Sequence, residues 1–316
     1  MAKISRPRKG SLQYYPRKRA SKFLPSVNWK TISSKEQGIL GFIVYKVGMA
    51  SASVKDSTEH SMTKGKKIIV PVTILEAPNM KVYSIRFYRK SLVVKDIVVS
   101  MDKDLRRVLK VSKNLKDFDK EIPQIYDDIK LIAYSLPKQA GLKKTPDMTE
   151  LAISSKNKLE FAKSLIGKEI ALKDFIKPDF LLLDARGLTK GHGTQGAVKR
   201  FGITLKAHKS EKGRRRPGSL GPWHPARVTF RTPMAGQLGM FTRIQNNLKL
   251  INFGEISQKN INPSSGFTSY GKINSNYIII KGSVQGPPKR QVLITPAFRP
   301  TKSQLKKKYE FIHLEK

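Results

Sequence analysis

The chain has 316 residues, 39% of them apolar, and carries 62 Lys and Arg against 23 Asp and Glu, a formal net charge of +39. A body so charged repels itself unless a partner with many negative charges covers it, which points to nucleic acid; a membrane surface would call for a basic amphipathic helix or a lipid anchor, and neither is present. With no cysteine, disulfides and thiolate metal sites are excluded, and no apolar run approaches the ~18 residues of a membrane span or follows the basic start as a signal-peptide core, so a soluble, cytoplasmic chain is expected.

Residues 1–35 hold ten Lys or Arg and no acid, with Pro7, Pro16 and Pro25 breaking any helical pattern. This predicts a basic N-terminal extension over 1–37. SRPRKGS and YYPRKRASKF set Arg6, Arg8, Lys9, Arg17, Lys18 and Arg19 beside Tyr14, Tyr15 and Phe23, the interleaving used to follow a phosphate backbone and stack on bases. A disordered, solvated tail is the alternative, but such tails rarely keep aromatics.

Apolar, β-branched runs at 41–45, 68–75 and 82–88 then predict strands, with Pro71 at an edge or bulge because it cannot donate to a ladder. Residues 51–65 read as a polar loop. Over 92–167 the acids cluster, and ELAISSKNKLEFAKSL, residues 150–165, places Leu151, Leu159, Ala162 and Leu165 on one helical face before Gly167. The segment reads as an inserted α/β lobe. Further strands are predicted at 169–172, 179–183, 248–253, 277–280 and 291–294, in segments 168–186 and 244–316, with no repeat of fixed period.

Between these lies 187–243, rich in Gly and Arg; from Arg186 to Arg243 there are thirteen Lys or Arg and one acid, Glu211. So long a stretch without regular structure is functional or disordered. It contains GHGTQG, residues 191–196, which spells the dinucleotide pattern G-x-G-x-x-G but lacks a following amphipathic helix and a ribose-binding carboxylate. The glycines instead allow close backbone approach, and Lys190, His192, Lys199 and Arg200 supply charge, so the turn is expected to face phosphate. Downstream, Lys206, Lys209, Arg214, Arg215 and Arg216 precede GPWHPARV, where Trp223 stands between Pro222 and Pro225, followed by His224, Arg227, Arg231 and Arg243. Trp is ordinarily a core anchor; here the stiff, polar flanks favour a presented ring that stacks on a base or wedges into an RNA crevice.

The five histidines are scattered without ligand spacing, and no G-x-S-x-G or Walker-A pattern occurs. No catalytic residue, metal or cofactor is therefore assigned. Two rivals are a nucleic-acid-modifying enzyme with a basic substrate arm and a chromatin-type DNA-binding protein. The first would need a His or carboxylate cluster in the glycine loops, and the second has little use for a sizeable lobe and a proline-flanked Trp.

Six words, SRPRKGSLQYYPRKRA, GLTKGHGTQGAVKR, GPWHPARV, MAGQLG, INPSSGFTSYG and IIIKGSVQGPPKRQV, together resemble the ribosomal protein L-three family in its archaeal and eukaryotic form. The resemblance covers most of the chain. It implies a mainly β fold with an α/β insertion: a β-barrel of the translation-protein type over 38–91, 168–186 and 244–316, an inserted α/β lobe over 92–167, and long non-globular basic extensions. It further implies a non-catalytic constituent of the large ribosomal subunit that binds large-subunit rRNA beside neighbouring ribosomal proteins, with Trp223 directed toward the peptidyl-transferase centre. Lys289 and Arg290 join the expected rRNA contacts. Arg186, where a small or aliphatic residue is expected, and Ile244-Gln245, where Thr-Glu is usual, depart from the family pattern, and 206–216 matches it in charge alone.

Overall fold

The computed structural model describes residues 7–34, 36–112, 114–115, 117–209 and 213–315. Strands dominate: β1 (Gly38–Ile39), β2 (Phe42–Asp56), β3 (Lys67–Ala77), β4 (Met80–Arg89), β5 (Leu92–Val98), β6 (Asp128–Ser135), β7 (Met148–Ser154), β8 (Leu182–Leu188), β9 (Thr194–Gln195), β10 (Gly236–Gln237), β11 (Thr242–Glu255), β12 (Asn276–Lys281), β13 (Gln291–Pro296) and β14 (Tyr309–Leu314). The α-helices among the described residues are short: α1 (Lys158–Ser164), α2 (Leu172–Phe175), α3 (Ala197–Phe201) and α4 (Lys302–Leu305). The chain divides into two compact units, Met1–Lys22 with Leu188–Thr242, and Phe23–Gly187 with Arg243–Lys316.

The larger unit holds two sheets. One runs β1-β7-β6-β4-β5; the other runs β13-β8-β11-β12-β3-β2-β14. In the second, β13 pairs antiparallel with β8 and also with β2, where Ile43 faces Leu293. The ladder of six strands thus returns on itself, and β14 is added to the far half of β2.

Alternation along these strands explains why they read as continuous apolar runs. Ile278 and Ile280 of β12 join one core with Leu75, Phe42 and Leu293, whereas Tyr277 and Ile279 join a second with Val72, Ile74 and Val54. A strand buried on both faces needs apolar side chains at every position. Pro71 fits because its backbone faces β12 just beyond the last pair, Val72 with Lys281, where its carbonyl accepts from Gly282 N at 2.9 Å.

Glu76 and Arg186, both buried, find polar partners. Glu76 accepts from Tyr270 Oη, from the backbone N of Asn274 and Ser275, and from Ser275 Oγ. Tyr270 belongs to the INPSSGFTSYG word, and Asn262 of the same word clamps Ile273 through its N and O at 2.9 and 3.0 Å. That motif is thus a buried strut. Arg186, unusual by sequence, is buried in β8, donates to Thr295 Oγ1 at 3.2 Å and lies 3.9 Å from Asp184.

Several expectations are corrected. Residues 51–56 are strand, not loop, because β2 continues against β3 and β14. Residues 150–154 are the end of β7 rather than helix: Leu151, Ala152 and Ile153 are buried, with Leu151 and Ala152 paired to β6 and Ile153 to β1, and tertiary pairing overrides the helical spacing. Only α1 remains of that helix, packed on β6 and β7. Of 169–172, Ile170 forms an isolated bridge with Met80 and Leu172 opens α2. The strand predicted at 179–183 begins at Leu182.

The segment 1–37 is not of one kind. Leu24, Trp29 and Ile32 are buried in the first core. Gly41 is needed there because a Cβ would stand 2.8 Å from the Trp29 indole.

Candidate nucleic-acid interface

The smaller unit contains nineteen Lys or Arg and one acid, Glu211. It has few apolar side chains to bury, Ala197 and Phe201 among them. Its order comes from backbone pairing and from arginines. Starting at the foot, Thr189 N donates to Phe241 O, His192 N to Leu238 O, and β9 pairs with β10, so GHGTQG and MAGQLG are two legs of one ladder. Gly239, with φ +81, must be glycine: a Cβ would stand 1.9 Å from Lys190 O. After GHGTQG comes α3, five residues long and ended by Gly202 in the left-handed region. A dinucleotide turn requires a long helix here.

Two of the expected RNA-binding arginines are internal ties. Arg17 donates from Nη1 to Arg200 O at 2.9 Å, with its guanidinium carbon 4.3 Å from the Phe201 ring centroid and 5.6 Å from that of Tyr15. Arg200 donates to Gln237 O at 3.0 Å, Met234 O at 2.9 Å and Arg17 O at 3.3 Å. Burial, and then the neighbouring charge of Arg17, lower the Arg200 pKa. Phe230 meets Tyr15 edge to face at 5.4 Å, and Arg8 donates to Arg231 O at 2.9 Å. The basic arm is therefore joined to the Gly-rich segment through cation–π contacts and charge-assisted hydrogen bonds to carbonyls.

The remaining candidates point outward. Lys9, Lys18, Arg19, Lys190, His192, Lys199, Lys209, Arg214, Arg215, Arg216, His224, Arg227 and Arg231 are exposed, and Lys206 is half-buried, its N donating to Arg214 O and its carbonyl accepting from Arg214 Nε. Arg6 lies outside the described residues. Arg243, Lys289 and Arg290 belong to the larger unit; there Lys289 is exposed, and Arg290 is half-buried with its guanidinium 5.4 Å from the Phe23 ring.

Trp223 is 86% exposed, against 6% for Trp29, which is the core tryptophan. Around Trp223, residues 220–223 and 225–228 line an open hollow of about 350 Å³. Val228 and Phe230 are exposed as well, so the loop offers several apolar faces among its cations. Phe201 and Phe230 escaped sequence reading as parts of the unit; the nearest signal was the Phe-Gly pair that closes α3. Among the described residues no group of three or more His, Asp or Glu is placed to hold a metal ion, and no helix is long and apolar enough to cross a membrane.

A β body joined to a cation-dense, Trp-presenting unit with almost no core defines a class: proteins that complete their surface against a polyanion. The family model described as Ribosomal protein L3 matches residues 1–95 and 99–315, and the chain belongs to that family. It is similar to the large ribosomal subunit protein uL3 of Methanococcoides burtonii, 39% identical over 96% of this chain and 95% of that one. The uL3 proteins of Methanospirillum hungatei and Pyrobaculum aerophilum are each 38% identical, over 95% and 94% of this chain and 94% and 93% of theirs.

Proposed function

We propose that the chain is a structural constituent of the large ribosomal subunit, a cytoplasmic particle, and that it binds large-subunit rRNA without catalysing a reaction. The observation that carries this reading is the smaller unit, with nineteen cations to one acid and an exposed Trp223. Exposed cations position the RNA backbone and release its counterions, while the folded shape of the RNA and stacking on Trp223 supply specificity. The closed ladder of the larger unit serves as a β-barrel of the translation-protein type; its support is that β13 pairs along both edges. The inserted lobe expected over 92–167 corresponds to β5, β6, β7 and α1, whose sheet also takes in β1 and β4 from the 38–91 segment expected to belong to the barrel. Trp223 is read as the tip that shapes the neighbourhood of the peptidyl-transferase centre, and the chain as a participant in subunit assembly beside neighbouring large-subunit proteins.

The test is sedimentation of cell extract followed by protein quantification: one copy per large subunit, retained at high salt, is expected. Purified protein on rRNA should lose affinity steeply with salt, at ~0.9 log units per log unit of salt for each phosphate neutralised. Salt-independent association, or absence from the subunit fraction, overturns the reading.

A further inference from the structure

The larger unit has an open seam. Among the described residues β14 has one strand neighbour, β2, and so presents a free edge. On the other side, Leu250 N donates to Leu181 O, just before β8 begins, so residues 251–255 of β11 run on past the start of β8. Between these edges lies a furrow of two adjoining hollows, about 400 and 210 Å³, which share Lys259 and Phe311. Tyr277 lines the larger one, and Phe253 and Ile312 on the flanking strands are 38% and 42% exposed.

We infer that this furrow takes an extended Lys/Arg-rich segment of another large-subunit protein as an added strand. Unpaired strand edges bind extended chain through main-chain hydrogen bonds. Charge selects the partner. The charged side chains lining both hollows are Glu255, Glu310, Glu315, Lys259 and His313, an acidic excess in a chain where cations outnumber acids by nearly three to one. Glu255 also meets Lys173 at 3.1 Å, and His313 lies 3.4 Å from Glu315. Phosphate is repelled by such a lining, whereas a basic peptide is drawn to it. The apolar walls receive the peptide's alternate side chains.

This inference rests on the ribosomal reading above. Its test places the photo-cross-linker p-benzoylphenylalanine at Phe253, or separately at Ile312, in the full chain within purified large subunits, with the adduct mapped by mass spectrometry. The expected product joins either position to one extended, Lys/Arg-rich segment of a single subunit protein. Glu255→Lys with Glu310→Lys should lower its yield at least about tenfold, and the gentler Glu310→Gln about threefold. Adducts to rRNA, or none from subunits that contain the chain, overturn the seam and leave the ribosomal reading intact. A chain absent from the subunits overturns both.

Discussion

The Arg17 guanidinium covers the face of Phe201 at 4.3 Å while donating to the carbonyl of Arg200, the residue before it. One side chain thus joins the N-terminal arm to α3. A flat, forked cation is required for both contacts, and lysine supplies neither the stacking plane nor the fork. Arg17→Lys should therefore raise amide exchange around 196–202 and weaken rRNA binding, with the slope of log affinity against log salt unchanged. If Arg17 instead touched phosphate, Arg17→Ala would reduce that slope by about 0.9.

Truncation separates the two parts of the basic segment. Removing residues 1–22 keeps Leu24, Trp29 and Ile32 in the core, and the thermal unfolding of the larger unit should stay nearly unchanged. Removing 1–34 takes those three buried side chains away. Large-to-small losses of this kind cost ~2–5 kcal/mol each, so the longer deletion should fail to fold stably, as followed by circular dichroism.

Trp223→Ala should leave unfolding within ~0.5 kcal/mol of the parent, because the ring is 86% exposed. Binding should tell a different story. Loss of a base stacked on the indole costs ~1–3 kcal/mol, visible as altered chemical footprinting of rRNA in subunits that still contain the protein. A large drop in stability would show that the ring packs inside.

Glu76 is a buried acceptor for four hydrogen bonds, one from Tyr270 within INPSSGFTSYG and three from Asn274 and Ser275 just after it. Glu76→Gln keeps the shape but replaces one acceptor oxygen with a donor, leaving at least one buried donor unmatched. The expected loss is ~1–3 kcal/mol by denaturant unfolding, with rRNA salt dependence unaltered.

Asp56 offers a pH test. Hydrogen bonds from Thr58, Thr63 and Ser61 hold its carboxyl below the ordinary carboxylate range. A depressed carboxylate stabilises the fold at pH values above its unfolded pKa of ~4, and that contribution fades as pH falls toward the folded value. Asp56→Asn should lower stability near neutrality and flatten its decline between about pH 4 and pH 2, as measured by unfolding at stepped pH.

Strand positions with a strong apolar signal were legible because β3, β12 and β13 are covered on both faces and so contain little but apolar residues. The cationic unit was legible from charge, and the exposure of Trp223 from its prolines. What was hidden depends on partners distant in sequence. Ser51 to Asp56 look like loop until β14, some 250 residues later, pairs with them. Leu151 carries helical spacing with Leu159, Ala162 and Leu165, yet strand pairing decides its conformation. Arg17 and Arg200 have the composition of RNA contacts, and only their carbonyl partners reveal them as ties.

Because β8 and β11 are neighbours in the sheet, residues 188–242 depart and return side by side, zipped at the base by Thr189 and Phe241. Lengthening such an excursion adds an entropic cost that grows only with the logarithm of its length, and trimming it recovers as little. The length of the segment between β8 and β11 can thereby change at small entropic expense while the two strands stay neighbours.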